Sequence, residues 1–308
     1  MNDKRKKLLD HLGRLSTEQR NPQSTNLDRL SAIEICNIIN AEDKTVAHAV
    51  QWQLSHIARA AEMVAETIKK GGRLFYTGAG TSGRLGVLDA AECPPTFGTE
   101  PEQVVGVIAG GKDTLIRSAE GVEDQFEEAA QDLQKYDFGQ NDMLIGLAAS
   151  VKTPYTQAGI IHAREAGAKT VLIVCNKVEQ LAVMPDVLIQ LDVGPEVITG
   201  STRMKSGTAQ KMTLNMITTT AMVLLGKCWG NLMVDLRATS DKLAVRSRKI
   251  LIEVLDIEYE MADTLLIEAG GSVKLAIAMN RLGVNRAEAE KRLAEVGGFL
   301  WKLLDSPD

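Results

Sequence analysis

The segment Gly78-Ala79-Gly80-Thr81-Ser82-Gly83-Arg84 gathers small residues and two hydroxyls where a short apolar run gives way to a helical pattern. At such a junction backbone N–H groups, hydroxyls and the positive end of the helix dipole converge on an anion. The letters fit G-x-G-x-x-G, yet a dinucleotide site also wants an acid at the end of the next strand to hold the ribose. Here that strand ends Ala109-Gly110-Gly111, and no Lys-Ser/Thr pair follows Gly83 as a P-loop would require. Phosphate binding of another kind and a plain tight turn both remain open. Ala149-Ser150-Val151-Lys152-Thr153-Pro154-Tyr155 and Gly200-Ser201-Thr202-Arg203-Met204-Lys205-Ser206-Gly207-Thr208 repeat the hydroxyl theme. Ligands of open α/β sheets bind outside the carboxyl ends of the strands, so three such loops on one edge favour a phosphorylated metabolite over three unrelated helix caps.

Carboxylates are the next candidates. Glu92, in Ala90-Ala91-Glu92-Cys93-Pro94-Pro95-Thr96, closes a helix that begins near Ser82. The negative end of a helix dipole and partial burial both favour a protonated carboxyl, which would make Glu92 a neutral general acid; the alternative is an ordinary exposed last-turn residue. Glu120, Glu123 and Asp124 stand at i, i+3 and i+4 and would share one face of a helix, which is most simply a solvated face. Gly194-Pro195-Glu196-Val197-Ile198-Thr199-Gly200 delivers Glu196 to a further strand end. Spacing does not say which acid is catalytic. The four histidines lie outside the glycine-rich segments, so acid–base steps near neutral pH would fall to carboxylates.

The elements that must position these groups alternate. Apolar runs at 74–77, 104–109, 143–148, 171–175 and 187–193 predict buried strands with helical stretches between most of them, hence a parallel, doubly wound five-stranded sheet. Residues 1–30 read as an irregular arm, and Ser31 with Glu34 as a capping box. A long amphipathic helix is predicted from Ala41 to Lys70, stopped by Gly71-Gly72. After residue 200 the strand signal disappears. Helices are predicted over 204–225 and 240–266, and three short ones over 273–304, divided by Gly283-Val284-Asn285 and Gly297-Gly298. The expected organisation is an N-terminal arm and helix over 1–40, the main domain over 41–255 and a small all-helical C-terminal domain over 256–308.

Composition removes several function classes. The 308 residues carry 35 Lys+Arg against 40 Asp+Glu, a net charge of −5, and 44% are hydrophobic, which excludes disorder. A mild acidic excess, with only a short isolated basic cluster at Lys4–Lys7, lacks the electrostatic footprint for nucleic acid or an anionic membrane. No apolar run approaches the roughly 20 residues that span a bilayer, and Met1–Asp10 is polar, so the expectation is a cytoplasmic protein. Cys36, Cys93, Cys175 and Cys228 have no metal-ligand spacing and read as reduced thiols. Aromatics are 4% of the chain, which argues for a polar, non-aromatic ligand.

The run from Gly78 to Phe97, with its Glu92-Cys93-Pro94-Pro95-Thr96 motif, and the run from Gly194 to Lys211 closely resemble the N-acetylmuramic acid 6-phosphate etherases, sugar isomerase (SIS) fold enzymes related to the glucokinase regulatory protein. Leu15-Ser16-Thr17-Glu18-Gln19-Arg20-Asn21-Pro22 resembles the same family, so the likeness spans nearly the whole chain. It implies the SIS fold and cleavage of the lactyl ether at C3 of an amino-sugar phosphate, giving N-acetylglucosamine 6-phosphate and D-lactate. It further implies that Glu92 is the proton donor, that Glu123 is a second catalytic acid, and that Thr81, Ser82, Ser150 and Thr153 hold the phosphate. Gly83, Glu196, Ser201, Thr202 and Lys205 join them as candidates for substrate contact, and Arg84, Arg203 and Lys205 as candidates for the lactyl carboxylate. Val151 departs from the family pattern, standing where many SIS loops have Gly.

The implied chemistry suits the inventory: two carboxylates at different pKa values suffice, with neither metal nor redox cofactor. A helix running from Ser82 to Glu92 separates them by roughly 15 Å, too far for one hexose phosphate. The expectation is a homodimer with its site near the subunit interface, where Glu92 comes from another subunit, or else a bend in that helix. An aldose-ketose isomerase and a sugar-phosphate-sensing regulator are the rival readings. The first needs no acid at the C3 oxygen, and the second would carry a basic recognition helix that residues 1–40 lack.

Overall fold

The computed structural model describes residues 12–151, 153–178, 180–238 and 240–305. The Lys4–Lys7 cluster, His11 and Lys152 lie outside them.

Five strands form one wholly parallel sheet: β1 (Leu74–Gly78), β2 (Val104–Ile108), β3 (Met143–Ala148), β4 (Lys169–Val174) and β5 (Val187–Gln190), in the order β2-β1-β3-β4-β5. Every residue of β1 and β3 is buried, as apolar runs covered on both faces require. Each fully buried large side chain, such as Leu74, Phe75 or Leu144, contributes about 1.5–3 kcal/mol relative to exposure. Chain order reverses between β1 and β3, which makes their carboxyl ends the switch point where ligands of open sheets bind. Three helices, α1 (Ala32–Asp43), α2 (Val46–Gln51) and α3 (Leu54–Lys69), precede the sheet. Two breaks therefore interrupt the single helix expected over 41–70. Ser31 N–H donates to the Glu34 carboxylate at 2.8 Å, completing the capping box at the start of α1.

After β1 comes α4 (Gly80–Phe97), unbroken despite Pro94 and Pro95 near its end. It lies so close to the sheet that a Cβ at Gly83 would fall 2.4 Å from Gly78 O, and one at Gly106 in β2 would fall 2.6 Å from Val87 Cα. Helix α5 (Glu128–Gln134) precedes β3, α6 (Pro154–Glu165) packs on β3 and β4, and α7 (Lys205–Leu224) follows β5.

The chain divides into two compact units. One comprises the described residues up to Ala90 with Val104–Thr218, and the other comprises 91–103 with the described residues from 219 onward. The second unit contains a two-residue hairpin, β6 (Cys228–Trp229) against β7 (Leu232–Met233), where no strand was expected. Strands this short show no period, and their one signal is the turn Gly230-Asn231. Five helices follow: α8 (Asp241–Leu255), α9 (Tyr259–Glu268), α10 (Val273–Leu282), α11 (Arg286–Glu295) and α12 (Leu300–Leu304). The helix expected over 240–266 ends instead at Asp256, which takes φ 54° as its C-cap. Ile250 and Leu251 of α8 share one core with Leu265, Ile277, Leu293 and Leu300, so the packing runs without a break through residue 255, where the sequence suggested a boundary.

Candidate active site

A cleft of about 360 Å³ opens at the carboxyl ends of β1 and β3 in the first unit. Thr81 and Ser82 from the loop after β1, Ser150 and Thr153 from the loop after β3, and Thr202 before α7 all line it. Glu123 and Arg84 line it as well. Helix α4 starts at this cleft, and the N–H groups of a first turn have no partner inside the helix. Those groups, the dipole and four neighbouring hydroxyls suit the cleft to an anion. The loop after β3 is ordered locally: the Ser150 and Thr153 hydroxyls are 3.2 Å apart, and the Gln157 amide donates to Val151 O at 2.7 Å. Val151 itself is buried.

Glu18, Glu120 and Glu123 also line the cleft. Glu123 sits in a single 3-10 turn, Val122–Asp124, after Gly121 in the left-handed region, so Glu120, Glu123 and Asp124 do not share a helical face. Glycine's freedom at φ 84° lets the chain turn there without strain. Arg84 donates to Thr114 O at 2.5 Å and Leu115 O at 3.2 Å, tying the segment after β2 to the first turn of α4.

Several expected contacts are directed elsewhere. Glu196 is fully buried, and its carboxylate accepts from Lys205 N–H (2.9 Å), Ser206 N–H (2.9 Å) and the Ser206 hydroxyl (2.8 Å). It anchors the start of α7, where a negative charge meets orphan donors and the positive dipole end, and does not reach the cleft. Lys205 is likewise buried, its ammonium 2.6 Å from Glu42 of α1. Gly83 is buried where α4 packs on β1 and supplies close approach, not a lining surface. Ser201 is half-buried beside Thr202, and Arg203 is exposed. Glu92 lies on α4 within the second unit, exposed, with five more helical residues after it. It is therefore not in the last turn of its helix.

The N-terminal arm supplies residues the sequence reading did not assign to the site. Thr17 and Glu18 line the cleft. The Thr17 hydroxyl accepts from the Asn176 amide at 3.0 Å, and that amide also donates to Ala149 O at 3.0 Å, joining the arm to the loop after β3. An irregular polar arm has no period that would announce where it docks; the resemblance of Leu15–Pro22 to a known family was its one signal. Among the described residues no group of three or more His, Cys, Asp or Glu could hold a metal ion, and no helix is long and apolar enough to cross a membrane.

The chain is similar to known proteins at two levels, one domain family and a set of relatives matched over nearly their whole length. The family described as the glucokinase regulatory protein N-terminal SIS domain matches residues 56–164. The chain is 49% identical to an N-acetylmuramic acid 6-phosphate etherase of Rhodopirellula baltica, covering 97% of this chain and 99% of that one. It is 50% identical to the enzyme of the same name from Mycolicibacterium smegmatis, over 93% and 96% of the two chains. For the one from Salinibacter ruber the identity is 51%, over 95% and 94%.

Proposed function

Since this chain belongs to the N-acetylmuramic acid 6-phosphate etherase family, we propose that its cleft holds the sugar phosphate and that Glu92 and Glu123 share the two proton transfers of the reaction. The enzyme is a carbon–oxygen lyase that converts N-acetylmuramic acid 6-phosphate and water to N-acetylglucosamine 6-phosphate and D-lactate.

The site assignment rests on the hydroxyls of Thr81, Ser82, Ser150 and Thr153, the start of α4 and the carboxylate of Glu123 meeting at one cleft. The hydroxyls and the helix start suit the phosphate dianion, and Glu123 in the same cleft is the carboxylate available to the carbon skeleton. Ring opening exposes the C1 aldehyde and acidifies the C2 proton. A carboxylate base removes that proton, the electron pair forms the C2–C3 double bond, and the C3–O bond breaks. A carboxylic acid protonates the departing lactate oxygen. Water then adds at C3, C2 regains a proton, and each carboxyl group returns to its starting state.

Ten residues of unbroken helix separate Ser82 from Glu92, about 15 Å at the helical rise and longer than a hexose phosphate. The reading is therefore a homodimer with the site near the subunit interface, each phosphate being served by the other chain's Glu92, and a cytoplasmic location. Mixing an inactive Glu92→Gln chain with an inactive Ser82→Ala chain tests it. Shared sites predict that an equimolar mixture regains up to about a quarter of wild-type activity, since about half of the dimers are mixed and each of those carries one intact site of two. No recovery despite exchange of subunits rules sharing out. An aldose-ketose isomerase would retain full turnover with Glu92→Gln.

A further inference from the structure

The N-terminal arm holds a carboxylate in the cleft. The arm is fastened on both sides of it. Before it, the Ser16 hydroxyl lies 3.0 Å from Asn176 Oδ1 and 2.9 Å from Asp192 Oδ1. Thr17 N–H donates to Asn176 Oδ1, and Gly200 N–H donates to Thr17 O at 3.2 Å. After it, the Asn21 amide donates to Pro195 O at 3.3 Å and the Ser24 hydroxyl to Val197 O at 2.8 Å. Between these fastenings Glu18 lines the cleft, half-buried, and its carboxylate has no hydrogen-bond or ion-pair partner among the described residues. A Cβ at Gly200 would come 3.0 Å from Glu18 Oε2, so the facing backbone leaves room for the carboxylate. A fixed backbone carrying an unpaired acceptor into a ligand cleft is the arrangement that recognises a donor on the ligand.

We propose that Glu18 is a specificity-determining residue that accepts a hydrogen bond from the C4 hydroxyl of the sugar. The inference rests on the sugar-phosphate reading of the cleft. A carboxylate repels the phosphate, so its partner lies on the neutral part of the substrate. The C4 hydroxyl is the one hydroxyl that both the closed ring and the open aldehyde carry, because C2 bears the acetamide, C3 the ether, C6 the phosphate, and C1 and C5 exchange their hydroxyl on ring opening. Glu18 thus holds the substrate through ring opening without taking part in bond breaking.

The test compares wild type, Glu18→Ala and Glu18→Gln on N-acetylmuramic acid 6-phosphate and on its 4-deoxy analogue, with inhibition by inorganic phosphate and thermal melting measured in parallel. A charge-assisted hydrogen bond predicts that Glu18→Ala raises KM about ten- to a hundredfold while kcat stays within about threefold. Glu18→Gln, which keeps one acceptor and the shape of the arm, falls between. Wild type loses the same factor on the 4-deoxy analogue, Glu18→Ala loses nothing further on it, and phosphate inhibits every variant equally. Equal losses on the 4-deoxy analogue in wild type and in the folded Glu18→Gln variant overturn the proposal. If phosphate fails to inhibit wild type, the reading of the cleft itself is at fault, independently of Glu18.

Discussion

The Ser82 hydroxyl donates to Gln210 Oε1 at 2.9 Å, and Gln210 Nε2 on the same buried amide has no partner. A hydroxyl has one proton, so a Ser82 that donates to Gln210 has none left for a phosphate oxygen. Turning the amide lets Nε2 donate to Ser82 Oγ and releases that proton into the cleft. Gln210→Glu, a fixed acceptor when ionised, is therefore expected to raise KM about tenfold at pH 8, whereas Gln210→Met, which holds no proton, changes it by less than about threefold. A purely structural role for Gln210 gives the reverse order, since Glu is closer to Gln in shape than Met is. Steady-state kinetics with circular dichroism decide between them.

Glu92 and Glu123 are expected to affect the chemical step. Glu92→Gln and Glu123→Gln should each lower kcat by about 10²- to 10⁴-fold, the range for losing one positioned acid or base. Glu92 is exposed, so its substitution should leave the melting temperature almost unchanged. Rates of D-lactate release alongside thermal melting check both halves of the statement.

Glu196 is expected to affect folding. Removing a buried carboxylate that accepts three hydrogen bonds strands its donors, and Glu196→Ala should cost about 2–5 kcal/mol of stability. Urea unfolding measures this. A variant of unchanged stability but raised KM would return Glu196 to the substrate.

The contrast between these acids shows what the sequence discloses. The strands were readable because β1 and β3 are buried on both faces and the others keep runs of Val, Leu and Ile, and the loops after β1 and β3 because hydroxyls gather where such a run gives way to a helix. Spacing did not say which of Glu196, at a strand end, and Glu123, in an acidic i, i+3, i+4 cluster, does the chemistry. What separates them is which donors lie within hydrogen-bond reach, and that depends on how α7 begins. Glu18 stayed hidden because the arm has no helical or strand period, and its docking depends on side chains such as Asn176 and Asp192, more than 150 residues away in the chain. The hairpin at 228–233 is too short to carry a pattern.

Asp89 should give stability a pH dependence. It is buried and accepts from the Tyr76 hydroxyl (2.8 Å), the Asn215 amide (2.8 Å) and the Thr218 hydroxyl (3.2 Å), and burial, outweighing these bonds, raises its pKa above the ordinary 3.8. The folded protein thus holds this proton more tightly than the unfolded chain. Its contribution to stability is fully present below pH 3.8 and is lost as pH rises through the folded value. Asp89→Asn cannot titrate, so unfolding free energies measured from pH 4 upward should fall less steeply than those of wild type. Parallel curves would show that the buried carboxyl is not raised.

Incubating the protein with N-acetylmuramic acid 6-phosphate in water enriched in oxygen-18, and analysing both products, decides whether it cleaves the ether by elimination and addition. Elimination followed by addition predicts D-lactate and N-acetylglucosamine 6-phosphate in equal amounts, with the heavy oxygen in the sugar at C3 and none in the ether oxygen retained by lactate. Absence of D-lactate, or label at the lactate hydroxyl, would contradict the account.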